Sequence, residues 1–481
     1  MPLEEAGVPY PATMETATSA TASAALQRAH ALFLQRRDAE ALPPARAAAE
    51  ALPRRADAWT LLGILLQRLG QPVEAEAAYR AAIRAMPDYA DAWTNLGNLL
   101  RDRDDLHGTL RAFQQAMRCA PASPVPPCNL GVALEHFGLW DGALAAFQAA
   151  VECDPRHADA RWNGALALLR AGRFEEGFRD YEWRFQRGEP GPRDCAQPVW
   201  DGRPLAGRTI LVWAEQGFGD TLQFMRFVPE VARRGGRVVL EVMEGLQGLA
   251  SRLPGVAAVV VRGEALPRFD THVAMMSLPH VLGLAHPHAG APYLRACDAL
   301  AARWRERFAA SDHGSGRALE VGLVWAGNPA LRNSSERSPG FEAMRGLLQV
   351  RGARFHSLQK GAGRGALAGL ELPPNFVDHD REIASFDDTA AIIANLDVVV
   401  TCDTAVAHLA GALGKPVLSM LPHACDWRYG LSADASPWYP SMRLFRQRTR
   451  GDWTDVLARV TQALQEAVAS LSSQALASAH A

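Results

Sequence analysis

Three turns in the second half of the chain carry residue types that can do chemistry. In EQGFGD (215–220), Gly217 and Gly219 allow a tight turn and close backbone approach, and Asp220 follows as a carboxylate able to accept a proton. The same aspartate makes a D-x-x-Q capping pattern with Gln223, so base and cap are both open readings. In TCDTAVAHLAGALGKP (401–416), Asp403 and Thr404 precede a helix starting near Ala405, whose free N–H groups suit a diphosphate. The Thr404 hydroxyl would assist, and His408, one turn on and on the same face, could donate a proton. A plain N-cap and a packed helix histidine are the structural alternative. In WAGNPALRNSSERS (325–338) and SLQKG (357–361), Asn328, Arg332, Arg337 and Lys360 would gather positive charge and amide donors around an anion, with Gln359 in the same turn. A solvated basic loop competes with that reading.

The split of cations sharpens the third turn. Of 50 basic residues only Lys360 and Lys415 are lysine, so these two are positions where a flexible point charge and a planar fork are not interchangeable. Two D-x-D triplets, Asp102-Arg103-Asp104 and Asp378-His379-Asp380, have metal–diphosphate spacing, but the first reads as a solvated hairpin tip and the second lacks further ligands. His280, His286 and His288 fall in a Pro/Gly-bearing loop and read as surface residues. No metal is expected.

These turns need strands and helices to position them. Short β-rich runs, TILVWA (209–214), RVVLEV (237–242) and AAVVV (257–261), alternate with helical stretches, as in a parallel sheet built from βαβ units. A second series, EVGLVWAG (320–327), ARFHSLQ (353–359), LDVVVT (396–401) and PVLSML (416–421), follows a polar stretch near 311–317. The expected class is therefore α/β with two Rossmann-like halves, and ligands in such sheets bind beyond the carboxyl ends of the strands.

The first 190 residues obey a different rule. Pro53, Pro87, Pro121 and Pro155 recur every 34 residues, as do Tyr79, Phe113, Phe147 and Tyr181, while Leu62-Gly63 returns as Leu96-Gly97 and Leu130-Gly131. Helical spacing between the prolines, with small residues where helices must approach, predicts about five helical hairpins from Ala22 to Arg187. Asn95, Asn129 and Asn163 share the period on the first helix of each hairpin and form a row of amides suited to an extended peptide main chain. Local backbone hydrogen bonding by those amides is the other reading.

Composition narrows the function class. The 50 basic residues nearly balance 52 acidic ones, leaving a net charge of −2 that disfavours general nucleic-acid binding. No apolar run reaches the length of a membrane span, and the first 20 residues lack a secretory pattern. Seven cysteines without C-x-x-C spacing point to neither a disulfide framework nor zinc, and a cytoplasmic location fits.

The 34-residue pattern resembles the tetratricopeptide repeat, with Trp59, Leu62, Gly63, Ala75, Tyr79, Ala82 and Pro87 on its consensus positions. The amide row is similar to the asparagine ladder of O-linked N-acetylglucosamine transferases. EQGFGD, WAGNP, SLQKG and DTAVAHLAGALGKP, with SPWYPSMRLFRQ (436–447), resemble bacterial ADP-heptose:lipopolysaccharide heptosyltransferases from about Trp200 to Trp453. That resemblance implies two facing Rossmann domains (the GT-B fold), Asp220 as base, and a donor diphosphate at Asp403, Thr404 and Ala405. The family's serine and basic pair in the third turn are replaced here by Asn328, Arg332 and Arg337 at different spacing, which removes the basis for naming heptose as the sugar.

The expectation is a repeat solenoid at 22–187 after a disordered tail (1–21), a linker (188–199), an acceptor-side Rossmann-like domain (200–312), a nucleotide-sugar domain (313–470) and a second tail (471–481). The resemblance implies inverting, metal-independent transfer of a sugar from a nucleotide sugar, with no other cofactor, and the repeats imply a protein acceptor, as in flagellin-modifying transferases of similar layout. Two other readings compete: a peptide-binding scaffold whose paired sheets are catalytically inactive, and a sugar-nucleotide epimerase, for which the repeats are superfluous.

Overall fold

The computed structural model describes residues 12–188, 191, 193–284, 292–310, 317–330 and 334–479, and the chain divides into two units, Met1–Gly164 and Ala165–Ala481. In the first unit, α1 (Ala12–Leu34) pairs with α2 (Asp38–Ala51), α3 (Ala56–Arg68) with α4 (Pro72–Ala85), α5 (Ala90–Asp102) with α6 (Leu106–Cys119), and α7 (Val125–His136) with α8 (Trp140–Cys153). The division falls within α9 (Ala158–Arg170), and α10 (Phe174–Tyr181) belongs to the second unit. The periodic residues explain the hairpins. A Cβ on Gly63 would lie 2.5 Å from Tyr79, one on Gly131 2.5 Å from Phe147, and one on Gly97 3.0 Å from Phe113, so glycine lets the paired helices close on each aromatic ring. The periodic prolines offer their carbonyls, Pro53 and Pro87 to the indole N–H of Trp59 and Trp93, and Pro155 to Arg161. Helix α1 begins within the stretch expected to be a tail; residues 1–11 lie outside the described residues. At the other end the final helix runs to Ala479, through most of the second expected tail.

The second unit holds two parallel sheets. In the first, β1 (Thr209–Trp213) leads to α11 (Phe218–Phe224) and α12 (Val228–Arg233), then β2 (Arg237–Val242), α13 (Gln247–Ser251), β3 (Val256–Val261), β4 (Thr271–Ala274) and α14 (Leu278–Leu282). Its strand order is β3-β2-β1-β4. The end of the expected linker runs alongside β4, where Trp200 N–H donates to the His272 carbonyl at 2.8 Å.

Helix α15 (Asp298–Ala310) crosses to the second sheet. There β5 (Leu319–Val324) is followed by α16 (Ser334–Arg337), α17 (Phe341–Met344), β6 (Ala353–Ser357) and β7 (Phe376–Asp378). Next come α18 (Phe386–Asn395), β8 (Val398–Cys402), α19 (Ala405–Ala412), β9 (Val417–Leu421), β10 (Met442–Arg446) and α20 (Thr454–Ala479). The order is β10-β9-β8-β5-β6-β7. Its central strands are buried on both faces, as parallel sheets require, with one face packed by α17 and α20 through Trp325, Phe341, Phe355, Val460 and Leu464. Both sheets thus contain a switch point, β1/β4 in one and β5/β8 in the other, where ligand crevices form. Among the described residues no helix is long and apolar enough to cross a membrane.

Candidate active site

Strands β5 and β8 are hydrogen-bonded neighbours, so their carboxyl-end turns must adjoin. A Cβ on Gly327, in the turn after β5, would lie 3.7 Å from the Asp403 carbonyl oxygen after β8. Thr404 has the extended backbone of an N-cap (φ −143°, ψ 169°), yet its side chain does not cap α19. Its Oγ1 instead shares a 3.0 Å hydrogen bond with Thr401 Oγ1, leaving the first turn of α19 without a capping side chain. Asp403 is buried and turned inward: its Oδ1 accepts from Tyr429 Oη at 2.7 Å, and its Oδ2 pairs with Arg337. Burial pushes this carboxyl up, against the pull of Arg337 and the Tyr429 hydroxyl. Asp403 therefore shapes the start of α19, and Arg337, which pairs with it, is about a third exposed.

The turn after β1 comes up against this site. The D-x-x-Q cap expected of Asp220 and Gln223 does not form: Asp220 is the third residue of α11, and Gln223 Oε1 accepts from Arg428 instead. Gly217, not Asp220, is the N-cap of α11, and the Gly217 N–H donates to Asp220 Oδ2 at 3.0 Å. The other oxygen, Oδ1, pairs with the Arg428 guanidinium from the turn after β9. The same guanidinium donates through Nε to Gln223 Oε1 (2.6 Å) and through Nη1 to Asp426 Oδ1 (2.8 Å). Asp220 and Gln223, three residues apart on one face of α11, thus present two acceptors to one planar fork. Burial opposes the charges on Arg428 and Asp426, but each holds the other ionised: Arg428 is raised and Asp426 lies below the usual carboxylate range.

His408 lies beneath this contact. It is 5% exposed, its Nδ1 is 3.0 Å from Tyr439 Oη, and a Cβ on Gly219 would approach its Cδ2 to 3.0 Å. Burial, aided by repulsion from Arg428, pushes its pKa down to about 3, so at neutral pH the ring offers an N–H rather than a mobile proton. The two glycines of the turn differ. Gly217 has an ordinary extended backbone (φ −74°), and its virtual Cβ meets nothing closer than Asp220 Oδ2 at 3.4 Å. Gly219→Ala is therefore expected to cost about 1–3 kcal/mol by forcing α11 off His408, and Gly217→Ala much less; urea unfolding of the two variants checks this.

The remaining expected site residues have partners of their own. Asn328 is exposed, its Oδ1 accepting from Ala330 N at 3.0 Å, and Arg332 lies outside the described residues. Gln359 clamps the backbone after β5: Oε1 accepts from the Trp325 and Ala326 N–H groups, and Nε2 donates to the Ala326 and Lys360 carbonyls. Lys360 turns outward to Asp380, 2.8 Å away, beyond β7 at the sheet edge. The other lysine, Lys415, donates to the carbonyls of Ala394 (2.7 Å) and Leu396 (3.0 Å), closing the end of α18 as a branched guanidinium would not. In the D-x-D triplets, Asp102 meets Arg101, Asp104 meets His136, Asp378 meets Arg364, and Asp380 meets Lys360. His280 is exposed in α14, while His286 and His288 lie outside the described residues.

In the first unit, Asn95 and Asn129 donate to carbonyls four residues back, of Asp91 (2.8 Å) and Val125 (3.0 Å), and Asn163 Nδ2 approaches Cys128 Sγ at 3.8 Å. Local bonding thus takes one N–H from each of the first two. Asn95 also lines a groove of about 570 Å³ with Leu26, His30, Leu61, Ile64 and Tyr89.

Arg428, Asp426 and Tyr429 went unrecognised in the sequence. The signal was DWRYG (426–430), a charged and aromatic cluster just after a parallel strand, but one arginine among 48 does not stand out.

Comparison with known proteins agrees with this architecture. Residues 60–124 and 128–187 match the tetratricopeptide repeat family, and residues 384–434, spanning α18 to Asp434, match glycosyltransferase family 9 (heptosyltransferase). Protein FlbA of Caulobacter vibrioides is 30% identical over 339 residues, 64% of this chain, and this chain spans 55% of that relative's length. Among solved structures, PilF of Pseudomonas aeruginosa is 19% identical with a TM-score of 0.33, covering 37% of this chain and 80% of that one. YrrB, described as a TPR protein with an unusual peptide-binding site, is 23% identical with a TM-score of 0.27, covering 34% and 84%. The chain accordingly carries tetratricopeptide repeats over 60–124 and 128–187 and, at 384–434, a segment similar to glycosyltransferase family 9 (heptosyltransferase).

Proposed function

We propose that the protein transfers a sugar from a nucleotide sugar to a hydroxyl of a protein acceptor bound by its repeats. One observation carries the reading: the Asp220 turn of the first sheet meets the uncapped start of α19 in the second, through Asp220–Arg428 and Gly219–His408. Asp220 takes the proton of the acceptor hydroxyl, whose oxygen attacks the anomeric carbon from the face opposite the leaving group. The bond from that carbon to the diphosphate oxygen breaks, with inversion. The departing charge is met by the α19 N–H groups from Ala405 onward, the Thr404 hydroxyl and Arg337, so the reaction needs no metal. Asn328, on the neighbouring rim, extends the donor site, while Gln359 shapes it from behind.

The scaffold reading has one point in its favour, since both Asp220 oxygens already have partners. A carboxylate oxygen has a second lone pair, however, and the Asp220 side chain remains 23% exposed. A panel of nucleotide sugars, followed for hydrolysis and transfer by the full chain, tests the reading; binding of donors without any turnover would favour the scaffold instead. For the repeats, Asn95→Ala combined with Asn129→Ala is expected to weaken acceptor binding about tenfold while leaving donor hydrolysis and melting temperature nearly unchanged. Loss of fold in that variant would make the amides structural.

A further inference from the structure

The first sheet has its own switch point, and a ligand would be expected beyond the carboxyl ends of β1 and β4. That position holds a side chain of the same chain. Arg184 lies in the 3-10 turn Glu182–Gln186 that follows α10 and is 1% exposed. Its Nη2 donates to Glu215 Oε1 (2.9 Å) in the turn after β1 and to Ser277 Oγ (2.6 Å) in the turn after β4. Its Nη1 donates to Glu182 Oε1 (2.7 Å) and the Tyr181 carbonyl (3.2 Å), and its guanidinium carbon lies 4.0 Å from the Phe185 ring centroid. The surrounding groups close on one another: Met276 N–H donates to Glu215 Oε1 (3.2 Å), Ser277 Oγ to Glu182 Oε2 (2.9 Å), and Gln216 Nε2 to Tyr181 Oη (3.0 Å).

We propose that Arg184 fills the first sheet's crevice as an internal ligand and is a positioning residue, acting through Glu215 to hold the 215–220 turn and with it Asp220. Two charged partners and two strand-end turns converge on one buried fork, which is far more than is needed to tether a connecting segment. The consequence for transfer rests on the reading of Asp220 as the base; the positioning does not. With the β1/β4 crevice occupied, an acceptor reaches Asp220 along its exposed edge at the rim.

The test uses the full chain with Arg184→Met, Arg184→Lys, and Arg184→Met combined with Glu215→Gln, which removes the fully buried one of the two carboxylates that the single change strands. Amide hydrogen exchange is measured at 215–221 and 405–412, together with donor-nucleotide affinity, transfer rate and melting temperature. In Arg184→Met, exchange at 215–221 is expected to rise at least about tenfold with 405–412 unchanged, and kcat to fall about 100-fold at constant donor affinity. Arg184→Lys, lacking the fork, should not restore the rate, and the double variant should regain melting temperature but not kcat. Unchanged exchange at 215–221 would overturn the proposal, as would a double variant that recovers kcat along with stability. If the wild type transfers no sugar, the transferase reading fails, while the exchange comparison still decides the positioning.

Discussion

Replacing Asp220 by Asn is expected to lower the transfer rate by roughly 10²–10⁴-fold, the usual worth of a positioned general base, while donor affinity stays near that of the wild type. The substitution is nearly isosteric, and its amide oxygen can still accept from the Gly217 N–H that caps α11. Arg428 keeps Asp426 and Gln223 as partners, so no buried cation is stranded. What is lost is the ability to take a proton. Single-turnover transfer alongside calorimetric titration with the donor nucleotide separates the two effects. An Asp220→Asn protein that turns over at the wild-type rate would assign the carboxylate to helix capping and module pairing alone.

Arg428→Met should have the largest effect on stability. One guanidinium, 10% exposed, serves Asp426 from its own turn and Asp220 and Gln223 from the other sheet. Methionine fills much of the volume but leaves Asp426 and Asp220 without their cation, and Gln223, whose Nε2 already has no partner, then loses its Oε1 donor as well. Breaking such a buried pair from one side costs about 3–5 kcal/mol. The melting temperature of the unit should fall on the order of 10 °C. Combining Arg428→Met with Asp220→Asn should cost less than the sum of the two single changes, because the second relieves part of the charge left by the first. Additive losses in that double-mutant cycle would show that the two residues do not interact across the sheets.

The sequence by itself determined the local parts. A 34-residue period places glycine opposite an aromatic ring, and that steric match dictates a helical hairpin whatever lies around it. The runs from TILVWA to PVLSML were legible as strands because most are short, β-branched and bounded by turn residues, whereas β4 (Thr271–Ala274), β7 (Phe376–Asp378) and β10 (Met442–Arg446) were missed: they are short or carry polar residues, and neighbouring strands supply the pairing that their own composition does not announce. The turns at Asp220 and Asp403 were legible because a carboxylate and a helix start follow directly on a strand, with glycine beside the first and threonine beside the second.

Only the tertiary structure decided what those residues meet. Lys360 and Gln359 stood out by rarity and position, yet one faces Asp380 and the other binds backbone. Arg184 and Arg428 stood out in no way, and each became the centre of a buried network. Their partners are 31 and 208 residues away in sequence, and a long side chain's choice of partner depends on which strand ends adjoin, which no local pattern encodes.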